Sequence, residues 1–173
     1  MRIDDPTRAA QSRTARLRIY LNDHLAGAAG GTALAARIAR AHRSDVGERE
    51  LAQLAADVGE DRQALLEIMG QLGVARTYYK ESVAAIAERV GRLKLNGSVV
   101  RRSPLSSVVE LETMGLGVTG KLAGWRTLRE LAESDSRLDK ARLNTLIGRA
   151  EKQQALLEEL RARAVRQALV GAV

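Results

Sequence analysis

Residues 14–41 read TARLRIYLNDHLAGAAGGTALAARIARA, and this stretch decides the fold. Apolar and small side chains recur in it at alternating steps of three and four residues, which is the spacing of one face of an α-helix. These residues are Leu17, Leu21, His24, Ala28, Gly31, Ala35 and Ile38. Arg16, Arg18, Arg37 and Arg40 lie on the other face. The stretch therefore predicts a long amphipathic helix with one face in a core.

Two further helices are predicted on either side of the middle of the chain. Asp45 and Glu48 form a capping box, which predicts the start of a second helix over residues 45–72. The dipeptide Ser103-Pro104 predicts the start of a third helix, because serine caps helices and proline is tolerated in the first turn. This third helix should end near Ala132.

A fourth helix and the lengths of the links complete the architecture. Ser136 and Asp139 form a second capping box, which predicts a helix over residues 137–169. The links before the second and fourth helices are short, whereas residues 74–103 form a long link with a short predicted helix over 80–94. Two helical hairpins joined by a long crossover are typical of a four-helix bundle. The sequence thus predicts an all-α, antiparallel, up-down bundle.

Length and composition fit one helical domain. The 173 residues can bury a sizeable core, and we expect residues 14–173 to form it after a flexible segment over residues 1–13. Cysteine is absent, which excludes disulfides and thiolate metal sites. The most apolar stretch, residues 25–36, is too short to cross a bilayer, and the first residues resemble no secretory signal. We therefore expect a cytoplasmic protein without a membrane segment.

Every predicted helix carries a polar side chain on or beside its apolar stripe. A buried polar group costs free energy unless it is paired or binds a metal, so these positions are the candidates for chemistry. They are His24 on the first helix, Asp57 and Asp61 on the second, Glu112 on the third, and Glu151 and Gln154 on the fourth.

This layout resembles the ferritin-like superfamily of di-iron and di-manganese carboxylate proteins, in which every helix of the bundle turns metal ligands inward. His24-Leu25-Ala26-Gly27 followed by Ala35-Ala36-Arg37 is similar to the first helix of such proteins. Glu112 stands where the third-helix glutamate would be, and Glu151-x-x-Gln154 resembles the fourth-helix Glu-x-x-His motif. The resemblance implies a site for manganese or iron at His24, Asp57, Asp61, Glu112, Glu151 and Gln154.

The ligand set departs from the family pattern. His24 replaces the first-helix glutamate, and the second and fourth helices contain no histidine, which argues against a redox di-iron centre. In a competing interpretation, His24 is simply hydrogen-bonded to Glu112 or Asp61. We therefore expect a bundle that acts by binding and assembly with an altered or lost metal centre. The first alternative is a di-metal carboxylate protein, either an oxidoreductase or a metal-binding stress protein.

The charge of the chain gives a second alternative, a basic helical protein that binds RNA, DNA or a ribosomal surface. The formal net charge is +7, and the crossover is the most basic part of the chain. The residues of this candidate surface are Arg89, Arg92, Lys94, Arg101 and Arg102. A solvated crossover is the competing interpretation. Trp125 could pack in the core or form a contact in a homo-oligomer.

The first and third helices are rich in glycine, which lowers helix stability by about 1 kcal/mol per residue relative to alanine. Close approach of two backbones would explain these residues, and so would an opening for a ligand. We favour close approach. The residues are Gly27, Gly30, Gly31, Gly115, Gly117, Gly120 and Gly124.

Overall fold

The computed structural model describes residues 6–42, 47–77 and 104–170, and all the regular secondary structure in these ranges is helical. It contains four α-helices, a short π-helical turn at the end and no β-strand, which confirms the predicted all-α class. The elements are α1 (Pro6–Ala41), α2 (Glu48–Gln71), α3 (Pro104–Leu131), α4 (Lys140–Val165) and the π-helical turn Arg166–Val170.

The helices pack around one hydrophobic core. α1 lies against α2 and α3, and α3 lies against α4 along most of its length. The backbones of α2 and α4 approach each other only locally, and long ion-paired side chains span the space between them. Side chains that are almost completely buried come from every helix, among them Leu21, Ile38, Leu54, Met69, Leu128 and Leu143.

α1 and α2 do not begin at the residues predicted from the sequence. α1 begins at Pro6, eight residues before the expected Thr14. Gly47 is the N-cap of α2, with a φ of 107° in the left-handed region that favours glycine and no side-chain cap. The predicted N-cap position of α2 is therefore wrong, and Asp45, the first residue of the predicted capping box, lies outside the described residues. α3 spans almost the predicted residues, and Ser103 lies outside the described part of the chain.

The start of α4 was predicted too early. Asp139 is its N-cap, and its carboxylate accepts hydrogen bonds from the backbone N–H groups of Ala141 at 2.8 Å and Arg142 at 3.2 Å. Before it, the Asp135 carboxylate accepts the backbone N–H of Arg137 at 3.2 Å, a local turn that keeps these residues out of the helix. The predicted capping box headed by Ser136 is therefore wrong.

Several predictions fall on the crossover. The short helix over residues 80–94 and the basic surface formed by Arg89, Arg92, Lys94, Arg101 and Arg102 lie outside the described residues. Within the described part of the chain, no helix is long and apolar enough to span a membrane.

The cap of α4 can be tested by two matched substitutions. Asp139→Ala removes the acceptor of two N-terminal N–H groups and should lower the free energy of unfolding by about 1 kcal/mol. Ser136→Ala should change it by less than about 0.5 kcal/mol, because Ser136 is exposed and does not cap the helix. Urea denaturation measures both, and equal losses would show that the cap is misassigned.

The turn before α4 should make stability depend on pH. Hydrogen bonds from the Arg137 side chain lower the pKa of Asp135 from 3.8 to about 2, and Arg137 also donates to the Leu72 carbonyl at 3.1 Å. Because the folded-state pKa is depressed, the stabilisation is complete above a pH of about 4 and is lost as the pH falls towards about 2.

We therefore expect the difference in unfolding free energy between the wild type and Asp135→Asn to shrink over that pH range. Ser134→Ala is the control, because its hydroxyl does not titrate. A difference that stays constant on acidification would contradict the role of the Asp135 carboxylate.

Candidate functional site

A buried ion-paired cluster joins three helices around Asp61. The Asp61 side chain is 2% exposed. Its Oδ1 accepts a hydrogen bond from Arg149 of α4, and its Oδ2 accepts from Lys121 of α3 and, at 3.2 Å, from Gln153 of α4. Lys121 also donates to the Gln153 side-chain oxygen. Both carboxylate oxygens are therefore occupied by donors from neighbouring helices.

In this cluster two cationic side chains, Lys121 and Arg149, are paired with the single buried carboxylate of Asp61. Burial lowers the pKa of Lys121, and the adjacent Asp61 charge opposes this effect. Burial also acts to lower the pKa of Arg149, but the charges and hydrogen bonds of Asp61 and Glu60 outweigh it and raise this pKa. Glu60 accepts from Arg149 at 2.7 Å on the solvent side, where its side chain is 66% exposed. The Asp61 carboxylate is therefore what keeps both cations stable in the core.

Two of the predicted ligand carboxylates lie on the surface. The Glu112 side chain is exposed and has Arg161 as an ionic partner at 3.9 Å. Glu151, which was predicted at the flank of its stripe, is also exposed and accepts from Arg126 at 2.8 Å. The predicted inward position of Glu112 is therefore wrong. The buried carboxylate of α3 is Glu110, which pairs with Arg37 of α1 at 2.8 Å.

The other predicted inward residues are partly buried. Asp57 accepts from Gln53 at 2.7 Å on its own helix. Gln154 donates to the Thr119 hydroxyl at 2.9 Å, while the adjacent Gln153 reaches the core. Consecutive side chains on a helix project in directions about 100° apart around its axis. If the predicted rotation of the helix is wrong by one residue, an inward side chain is mistaken for a flanking one. Gln153 was missed for this reason.

The phase of α3 was also misassigned. Its buried apolar side chains are Val108, Leu111, Met114, Val118, Leu122, Trp125 and Leu128. In the sequence, this buried face is indicated by apolar residues at steps of three and four, among them Met114, Val118 and Trp125. Trp125 is 3% exposed and belongs to the core, so the alternative of an oligomer contact for it is wrong.

Asn22 is a buried polar residue whose burial was not predicted from the sequence. Its side-chain oxygen accepts the backbone N–H of Thr77 at 2.6 Å, and its NH₂ group donates to the carbonyls of Ala75 at 3.1 Å and Arg18 at 2.8 Å. It therefore fixes the segment after α2 against α1. In the sequence, Asn22 does not differ from other polar residues next to an apolar stripe.

His24 lies against α3 and not beside a carboxylate of the cluster. Its ring centroid is 4.5 Å from that of Tyr20, and no hydrogen bond within the described residues joins it to Asp61 or Glu112. Burial lowers the pKa of His24, and the Asp23 charge opposes this shift. A Cβ at Gly124 would lie 2.9 Å from His24 Nδ1, so only glycine leaves room for the ring.

A cavity of about 160 Å³ lies between α1, α2 and α3, next to the cluster. Asp61 and Lys121 form part of its wall, together with His24 and Trp125. Small residues supply much of the remaining wall, among them Gly27, Ala28 and Gly31 of α1 and Gly117, Gly120 and Gly124 of α3. The two glycine-rich segments therefore face one space.

Most of these glycines do not serve close helix packing. A Cβ at Gly27, Gly31, Gly117 or Gly120 would meet no atom of the described residues within 4 Å beyond its own stretch of helix. The expectation that they bring two backbones together is therefore wrong. Their missing side chains leave the cavity open, and Gly124 alone among them is required by a close contact.

The predicted metal ligands do not converge. No group of three His, Asp or Glu residues in the described ranges lies close enough together to hold a metal ion. Comparison of the chain with protein-family models, curated proteins and solved structures finds no match. The Asp61 cluster and the cavity are therefore the features of the described residues that can indicate a function.

The cluster has a testable energetic consequence. Asp61→Ala leaves the half-buried Lys121 without its carboxylate and Arg149 with only the exposed Glu60, so the free energy of unfolding should fall by about 3 kcal/mol. Asp57→Ala, which removes a carboxylate from the same helix, should cost no more than about 1 kcal/mol. Chemical denaturation measures both changes.

A double variant separates charge from packing. Asp61→Leu with Lys121→Met should be more stable than Asp61→Leu alone, because the unpaired ammonium is gone. Equal stability of these two variants, or equal losses for Asp61→Ala and Asp57→Ala, would contradict the proposed energetic role of Asp61.

Proposed function

We propose that this chain is a ferritin-like bundle that acts by binding, with the Asp61 cluster in place of a metal centre. Three contacts of α1, two with α3 and one with the turn that follows it, support an antiparallel arrangement, because residue numbers rise along one helix as they fall along the other. The pairs are Arg13 with Ser134 at 3.4 Å, Tyr20 with Thr127 at 3.0 Å, and Arg37 with Glu110 at 2.8 Å.

The observation that carries the proposal is the complete occupancy of the Asp61 carboxylate. Ferritin-like proteins turn carboxylates into the core to bind cations. In this chain Lys121 and Arg149 supply the positive charge to the buried carboxylate. A divalent ion at Asp61 would have to displace both cations or lie beside them, and either change is electrostatically unfavourable. This supports a protein that needs no metal.

Binding is favoured over oxidative catalysis by the surroundings of the cluster. The neighbouring cavity is lined mainly by apolar and small residues and is bounded by a few polar groups, as small-molecule sites are. His24 has no hydrogen-bonded carboxylate partner among the described residues that would orient it as a general base. The cavity can therefore hold a molecule, while the described residues around it offer no assembled proton-transfer pair.

Metal analysis tests the proposal. Protein purified without a chelating tag should contain fewer than about one manganese or iron ion per ten chains, and added Mn²⁺ or Fe²⁺ should leave the melting temperature unchanged, since a ligand of the native state must stabilise it. A stoichiometric ion, or a metal-dependent rise in melting temperature that disappears in Asp61→Asn, would overturn the proposal. The variant locates any such effect at the cluster.

A further inference from the structure

The cavity beside the cluster has the size of a single ring. Its volume is about 160 Å³, and an engineered protein cavity of about 150 Å³ is known to bind benzene. Its lining includes Leu116, which is 76% exposed, and the exposed Arg62, so the space reaches the molecular surface. A molecule of this size can therefore enter between the helices.

The body of the cavity is apolar. Leu21, Val58, Val118 and Leu128 are buried side chains that line it. The glycines of α1 and α3 add width, because a side chain at those positions would project into open space. This wall favours a hydrocarbon group over a sugar or a hydrated ion.

One hydrogen-bond donor of α3 is available at the wall of the cavity. Trp125 contributes its ring to the lining, while its indole nitrogen is completely covered. Lys121 precedes Trp125 by four residues and lies on the same side of the helix. The Lys121 ammonium has three N–H groups, and its hydrogen bonds go to Asp61 and Gln153. A third N–H therefore remains for a ligand.

The charges around the cavity favour an anion. Lys121 and Arg149 share Asp61 as their buried carboxylate, and the Arg62 side chain adds a further cation to the lining. Glu60 compensates Arg149 only from the solvent side. An amine would meet cations without an unoccupied acceptor on Asp61, whereas a carboxylate would meet the Lys121 ammonium and the Arg62 charge.

We propose that this cavity binds a small carboxylate with a single aromatic ring or a branched aliphatic group of similar size. The apolar group lies against the side chains of α1 and α2, and the carboxylate accepts a hydrogen bond from Lys121 of α3 on the side of the cavity that Arg62 also lines. This inference rests on the proposed function, because it requires a binding protein whose core is not occupied by a metal.

Benzoate is the probe for a titration of the full chain by calorimetry and by thermal shift. It should bind at one saturable site, at least about tenfold more tightly than benzyl alcohol, because a charge-assisted hydrogen bond is lost in the alcohol. Benzylamine should not bind. Equal affinity for benzoate and benzylamine, or the absence of saturable benzoate binding up to about 10 mM, would overturn the inference.

Matched variants locate the site. Gly31→Leu and Gly120→Leu place a side chain in the cavity from opposite walls and should abolish benzoate binding. Gly115→Leu is the control on α3, because it also has open space but does not line the cavity. Benzoate binding that survives both cavity-filling variants, or is lost equally in Gly115→Leu, would place the ligand elsewhere and contradict the inference.

Charge variants test the carboxylate contact. Lys121→Met removes the donor and should weaken benzoate at least about fivefold while leaving the weaker binding of toluene unchanged. Arg62→Gln, at an exposed residue of the lining, should also weaken benzoate and keeps the test decisive if Lys121→Met fails to fold. Unchanged benzoate affinity in both variants would contradict the proposed contact.

The failures of the two proposals can be distinguished. A stoichiometric metal that requires Asp61 would overturn the proposed function whatever the benzoate titration shows. If the protein is free of metal and does not bind benzoate, only the ligand assignment is overturned.

Discussion

The interaction on which the rest of the core depends is the hydrogen-bonded ion cluster at Asp61. This carboxylate on α2 receives Lys121 from α3 and Arg149 from α4, and Gln153 bonds to both Asp61 and Lys121. The backbones of α2 and α4 approach each other little, so these polar side chains connect them where apolar packing is thin. A buried carboxylate of this kind is tolerated only while its partners stay in place, which constrains the relative positions of three helices.

The cavity follows from the same constraint. The side chain of Lys121 reaches from α3 to Asp61 on one side of the cavity, and the glycines of α1 and α3 leave the space beside it open. Glycine within a helix and an unfilled cavity both lower stability, and such costs are common where a protein keeps a binding site. The fold thus combines a tightly paired polar cluster with an open apolar space next to it.

The regular parts of the fold could be predicted from local patterns, and the polar positions could be predicted only in part. Helical periodicity indicated four helices and the burial of Asp61, because the spacing of apolar residues directly reflects which face is inside. On α3 the periodicity indicated the wrong face, because scattered glycines made the apolar stripe hard to identify. Glu112 was therefore predicted to point inward. Gly47 and Asp139 replaced the predicted caps, since several residues near a helix start can cap it and the turn geometry selects one.

By itself, the amino-acid sequence determined the helical class, the approximate positions of the four long helices and the presence of a carboxylate in the core. These features depend on propensity and spacing within about 20 residues. Only the tertiary structure decided that Lys121, Arg149 and Gln153 surround Asp61, that Glu110 and not Glu112 is buried, and that the glycines of two helices border one cavity. Those features depend on the rotation of each helix about its axis, which is set by the packing of all the helices together.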